Sequence, residues 1–149
     1  MAVHWLALYF PALSLDLLGN GSEVPLAIVE TRNGRSVVCL ANPPASRCGV
    51  QPGLSAGGAR ALCAALRMRE RDPSREAEVL QRLAAWACQF TSRLSVEPDA
   101  LLLEVGGSVR LFGSLSALTE RVRVGLDELG FTAVPFLAPT PEGALRLAC

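Results

Sequence analysis

The stretch VHWLALYF, residues 3–10, sets the first limit on this chain. Apolar and aromatic residues fill it almost completely, without the polar alternation of a strand that keeps one face in water. It predicts a short strand buried on both faces. Pro11 follows at once. Its fixed φ and missing N–H suit the first turn of a helix, and Leu13, Leu17 and Leu18 continue as a short apolar stripe. Residues 19–23, GNGSE, read as the loop that ends this helix.

The rest of the chain repeats such alternations of strand and helix. PLAIVE and SVVCLAN flank Asn33-Gly34, a pair that tolerates positive φ and so marks a two-residue hairpin turn. ANPPASRCGVQPGLSAGG is dense in Pro, Gly and Ser and reads as a long irregular connection. Within it Ser55 can cap a helix running to Leu66, with Ala59, Leu62, Cys63 and Leu66 on one face. Asp72-Pro73 is a helix start, a cap acceptor followed by proline in the first turn. That helix is expected to reach about Thr91, with Val79, Leu83, Trp86 and Phe90 inward. LLLEV and SVRLF bracket Gly106-Gly107 and predict a second hairpin. Ser114 can cap the next helix, whose inward face is Leu115, Leu118, Val122, Leu126 and Leu129, and Gly130 stops it. FTAVPFLA is a last strand, placed at an edge or bulge by Pro135. Pro141 opens a final helix that reaches Cys149. This order predicts an α+β fold, a mixed sheet with helices on one side and an inserted lobe at about residues 25–70. Because the sequence stops inside a helical pattern, it reads as a fragment of a longer protein.

Fourteen acidic and fourteen basic residues leave no formal net charge. That argues against a surface built to neutralise phosphates. All the bases are arginine, and Arg67, Arg69, Arg71 and Arg75 form the one basic cluster. It suits a solvated linker and helix start, or contact with DNA or an acidic partner. The five cysteines (39, 48, 63, 88 and 149) include no CxxC pair and no zinc spacing; Cys39, Cys63 and Cys88 lie within apolar patterns and read as buried hydrophobes in a reducing compartment rather than disulfides. Residues 1–10 lack the positive start and cleavage site of a signal peptide. No apolar run nears the roughly 20 residues needed to span a bilayer. A cytoplasmic, soluble protein without membrane contact is expected, and there the Asn20-Gly21-Ser22 sequon is only a turn.

Most chemistries find no home. The single histidine, His4, lies in the first strand, and no GxSxG elbow is present. GLSAGGA is glycine-rich but lacks GK[ST]. Glu97, Asp99 and Glu104 cluster before and along LLLEV. Two-metal phosphoryl transfer needs a further carboxylate from a neighbouring strand, yet VHWLALYF holds no acid and Asp16 lies too far along its helix. A solvated turn at Glu97-Pro98-Asp99 accounts for these residues without a metal.

Taken in order, HWLALYFPALSLDLL, PLAIVE, NGRSVVCLAN, GVQPGLSAGGARALC, LQRLAAWACQF and LLLEVGGSVRLFGSLSAL resemble the N-terminal half of the Y-family translesion DNA polymerases. They look most like the degenerate branch called ImuB. The resemblance implies a palm from residues 1–24 and 73–149 and a fingers-like lobe from 25–72. The thumb and outer DNA-binding domain would be absent. It also implies where chemistry would have been. The family's first-strand metal acid matches Ala7, a further position that is often acidic matches Tyr9, and the Asp-Glu pair matches Asp99-Ala100. The triphosphate clamp after Ala41-Asn42 matches Pro43 and Ser46. One acid of three cannot hold two divalent ions, because Mg²⁺ needs several oxygen ligands. The expectation is therefore no enzyme, with no metal and no cofactor. In its place stands a scaffold of a DNA-damage-induced mutagenesis complex that docks a RecA-like partner, ImuA, at a sheet edge or at a cleft made more apolar by Ala7 and Ala100. Through regions beyond this chain it would meet the sliding clamp and an error-prone C-family polymerase, with DNA held weakly or by those regions. The alternative is a weakly active translesion polymerase fragment that uses Asp99, Glu97 or Glu104 with acids from elsewhere. A free-standing DNA-binding module fits the balanced charge poorly.

Overall fold

The computed structural model describes residues 4–19 and 23–148, so the Asn20-Gly21-Ser22 sequon lies outside the described residues. The chain divides into two compact units. One joins the residues up to Leu13 with those from Ser74 onward, and the other is the continuous segment Ser14–Pro73.

The split unit is built on a four-stranded antiparallel sheet. Its strands are β1 (Trp5–Tyr9), β5 (Leu94–Glu97), β6 (Ala100–Glu104) and β7 (Val134–Ala138), in the order β5-β6-β1-β7. β1 is buried on both faces, as its composition dictates. Leu6 and Leu8 point to one face, where they meet α4 (Pro73–Ala87) through Leu80 and Leu83, and α6 (Leu115–Glu128) through Leu118, Val122 and Leu126. Ala7 points to the other face and packs with Leu102, Ala138 and Ala144 of α7 (Pro141–Ala148). Helices thus lie on both sides of this sheet rather than on one. Pro135 sits on the edge strand β7, where the ladder loses nothing by its missing N–H. Ser114 caps α6 by accepting the Ala117 N–H at 3.1 Å. Gly125 has a packing reason, since a Cβ there would run into Cζ2 and Cη2 of Trp86.

The second hairpin lies elsewhere than expected. It is β5 and β6, turning at Pro98-Asp99, with Glu97 opposite Ala100. SVRLF instead forms the short helix α5 (Val109–Phe112). The reason is topological: β6 already has β5 on one side and β1 on the other, leaving no lane for another strand. Val105 N–H bonds His4 O at 2.9 Å, and Ser108 N–H bonds back to Val105 O at 3.0 Å, so the chain turns off the sheet there.

The continuous unit holds β2 (Leu26–Arg32), β3 (Arg35–Ala41) and β4 (Arg67–Glu70), in the order β3-β2-β4, after the single-turn helix α1 (Leu13–Asp16) that leads into it. Asn33 and Gly34 take φ of 52° and 75° and make the β2–β3 turn. The segment read as irregular contains α2 (Pro43–Arg47), and α3 (Ala56–Leu62) follows it with Ser55 as cap. Asn42 starts α2. Its Oδ1 accepts from Ala45 N at 3.0 Å and from Leu26 N at 2.9 Å, while Nδ2 donates to Val24 O at 2.9 Å. One side chain thereby fixes the start of a strand and the start of a helix. Two of the four clustered arginines prove to lie on an edge strand: β4 runs parallel to β2, with Met68 turned to the core and Arg67 and Arg69 exposed. No helix among the described residues is long and apolar enough to cross a membrane.

Candidate functional site

The positions matched to the metal acids converge at one end of the four-stranded sheet. Tyr9 lies opposite Ala100, and Phe10 N–H bonds Asp99 O at 3.0 Å, which holds the β5–β6 turn beside the end of β1. Because side chains alternate along a strand, Ala7, Tyr9, Ala100 and Leu102 share the face that α7 covers. Ala7 and Ala100 are almost wholly shielded, at 0% and 1% exposure. Asp99 is exposed in the turn and Glu97 half-buried beside it. Ala7 thus offers no surface of its own, and the apolar cleft expected there is filled by α7 from within the same unit.

Glu104 does not join this group. It pairs with Trp5 at the opposite end of the sheet, about 13 Å from Ala100 by strand rise. There it faces Arg93 at 3.2 Å. Pro43 and Ser46 lie on α2 in the continuous unit, both exposed. His4 leads into β1, its carbonyl bound by Val105. Among the described residues no group of three or more His, Cys, Asp or Glu is placed to hold a metal ion. Two divalent metal ions of the kind the resemblance implies therefore do not fit the described residues of this chain alone.

Two features escaped sequence reasoning. A groove of about 960 Å³ runs between α4, α5 and α6, lined by Trp86, Phe90, Leu111, Phe112 and Val124. Its aromatics pack at an angle to one another, with Trp86 and Phe90 at 5.2 Å and Phe90 and Phe112 at 5.6 Å between centroids. Arg121 lies over Phe112 at 5.8 Å, within cation–π range. On α6, Arg123 bridges Glu120 and Asp127. The hydrogen bond from Arg123 holds the Glu120 carboxyl below its usual range and pushes the guanidinium up in turn. The spacing Glu120–Arg123–Asp127 was the available signal for that bridge. The second feature lies in the continuous unit, where neighbouring Cys48 and then burial push the Cys63 thiol up, and spacing gave no signal of it.

Residues 17–141 match the model of the impB/mucB/samB family. DNA polymerase IV of Escherichia fergusonii is 31% identical over 121 residues, covering 78% of this chain and 36% of that protein. DNA polymerase IV of Citrobacter koseri shows the same 31% identity over 78% of this chain and 34% of its own length. Among solved structures, the insertion ternary complex of Dbh DNA polymerase has a TM-score of 0.74 at 16% identity, over 97% of this chain and 45% of that one. DinB from Sulfolobus solfataricus has a TM-score of 0.68 at 17% identity, over 98% and 45%. The fold is the mixed α+β fold of Y-family polymerase palm and fingers domains, and the chain spans about a third of the length of the curated relatives it matches. The expectation of no enzyme is overturned by these matches, whose proteins are named DNA polymerase IV. It rested on counting acids at Ala7 and Ala100 in a chain about a third of a relative's length, and that count does not decide the activity of a whole protein.

Proposed function

Because the chain belongs to the impB/mucB/samB family, we propose that it is the palm-and-fingers portion of a Y-family-type protein working in translesion DNA synthesis during a bacterial DNA-damage response. The observation that carries this reading is the family match across residues 17–141, which takes in both compact units. Within that role we assign the chain to the ImuB type, in a mutagenesis complex with a RecA-like partner, a sliding clamp and an error-prone C-family polymerase. The small, dry residues Ala7 and Ala100 support that assignment. With Ala7 covered by α7, docking falls to the sheet edges, β5 and β7. Val134 and Leu137 of β7 expose 37% and 38% of their surface. The balanced charge assigns only a modest share of the DNA grip to this chain.

A second reading is favoured by the relatives' names: the full-length protein extends primers itself, with Asp99 as a carboxylate brought by this chain. Capture of the full-length protein by the RecA-like protein, with Val134 and Leu137 intact or changed to Asp, tests the first reading. Retained wild-type capture that falls at least tenfold in the Asp variants supports it; no wild-type capture removes it. Primer extension on a lesion-bearing template, with and without Asp99→Asn, tests the second. Synthesis lost on that substitution supports it, and absence of synthesis by the wild type rules it out.

A further inference from the structure

We propose that the groove between α4, α5 and α6 is a self-association surface, on which a second copy of this chain seats its own α6 in antiparallel register about a two-fold axis. α6 turns a stripe of Ala117, Arg121, Val124 and Glu128 toward the groove, and all four are exposed. Spacings of four, three and four residues put them on one side of the helix, as in a seam between paired helices. The face that α6 gives to the core is a different one, made by Leu118, Val122 and Leu126. Beside the stripe the groove is lined by Trp86 and Phe112, both half-buried, and by Leu111, which leaves 83% of its surface in water. A leucine so exposed, set among aromatics and an exposed valine, marks an interaction surface.

Charge selects the occupant. Arg121 and Glu128 are the charged members of the stripe, and neither joins an ion pair among the described residues. Arg121 lies over the Phe112 ring, while Arg123 takes up Glu120 and Asp127. Arg121 and Glu128 stand two turns apart, roughly 10 Å along the axis, at equal distances before and after the midpoint between Val124 and Gly125. An α6 laid antiparallel on its symmetry mate about that midpoint sets Arg121 of each copy beside Glu128 of the other. Placed parallel, the same helices would set Arg121 against Arg121 and Glu128 against Glu128, so the charges admit one direction. Val124, 39% exposed, then meets its own counterpart at the axis. Such an interface is isologous and closes at two copies. The two ion pairs fix register and direction, and the apolar area comes from Val124, Leu111 and the groove aromatics.

Sedimentation equilibrium of the full chain over a rising series of concentrations tests this, with dithiothreitol present so that no disulfide between copies through the exposed Cys88 contributes. The wild type is expected to pass reversibly from monomer to dimer and no further. Arg121→Glu and Glu128→Arg each set like charges face to face, and each should weaken the dimer about tenfold or more. Mixed in equal amounts, the two variants should pair with each other nearly as tightly as the wild type, because an acidic stripe then faces a basic one. That recovery also excludes misfolding as the cause of the single losses, and far-UV circular dichroism of each variant checks it separately. Monomer alone at every concentration overturns the proposal and leaves the groove to a different protein. Assembly beyond two copies overturns it too, as does a dimer that the charge reversals leave unchanged or a mixture that fails to recover what they lose.

Discussion

Ala7 is buried in a cluster with Leu102, Ala138 and Ala144, against which Trp5, Tyr9, Phe136 and Leu145 pack, with Phe136 directly opposite Ala7 on β7. The buried members of that set carry no polar side-chain group. An acid introduced there would have to desolvate without an ion or a hydrogen bond to offset the loss. Ala7→Asp is therefore expected to destabilise the chain by about 3 kcal/mol or more, the range for an uncompensated buried charge. Urea unfolding followed by tryptophan fluorescence measures it. If the Ala7→Asp variant were as stable as the parent, α7 would have to lift off the sheet at little cost, and the buried reading of this position would fall. The same environment explains what the sequence could reveal at this scale. The match of Ala7, Tyr9 and Asp99-Ala100 to a family frame was legible from the strings VHWLALYF and LLLEV. That a helix beginning at Pro141 covers Ala7 was not, because the pairing of residues so far apart is set by packing rather than local pattern.

At the level of elements, the strongly periodic segments were legible and the short polar ones were not. α4 and α6 follow from their caps and apolar spacing, although Leu80, Ala84 and Ala87 bury more completely than Val79 and Trp86. β5 is four residues with Ser95 and Glu97 among them, and β4 carries two arginines around one core methionine. β5 offers only two alternating apolar residues, Leu94 and Val96, and β4 only one, and each exists because a neighbouring strand supplies the ladder. α2 was the one miss with a usable signal, since Asn-Pro-Pro is a cap followed by prolines in the first turn. Asn42→Ala removes an acceptor shared by two backbone N–H groups and a donor to Val24 O. A loss of about 2–3 kcal/mol is expected, above the usual cost of a single cap; denaturant midpoints give the value, and a loss below about 0.5 kcal/mol would show that water replaces Asn42 without penalty. On β2, Glu30 takes a hydrogen bond from Arg32 and faces Arg71 at the end of β4 at 3.5 Å. Arg32 chiefly, and then Arg71, hold the Glu30 carboxyl below its ordinary value of 4.5. A carboxyl depressed in the folded state binds its proton more readily in the unfolded chain, so its stabilisation is present above the ordinary carboxylate value and disappears as pH falls through the lowered one. The stability difference between the parent and Glu30→Gln should accordingly be positive at pH 7, shrink below pH 4.5 and vanish in stronger acid. Paired unfolding curves over that range check it, and a difference that grows on acidification would contradict it. Salt should diminish the effect, since both arginine partners are open to solvent.

Two cores of unequal size hold the whole molecule. The split unit buries Leu6, Leu8, Leu101, Leu103, Leu118 and Leu126 around its sheet, whereas the continuous unit relies on smaller residues such as Ala27, Val38, Ala45, Val50 and Ala59. The fraction of surface a chain can bury falls as the domain gets smaller, and a segment of about 60 residues is marginal on that account. Separate cores also relax the all-or-none rule that holds for a single small domain. The chain offers a way to read this directly. Both tryptophans, Trp5 and Trp86, belong to the split unit, so fluorescence follows that unit alone, while far-UV circular dichroism follows helices and strands of both. Urea titration is expected to give two non-coincident curves, the dichroism signal starting to fall at lower urea as the continuous unit opens first. Coincident curves in the reduced protein would instead show that the two cores unfold as one cooperative body, and the inserted segment would have to be treated as an extension of the palm rather than a unit with a core of its own.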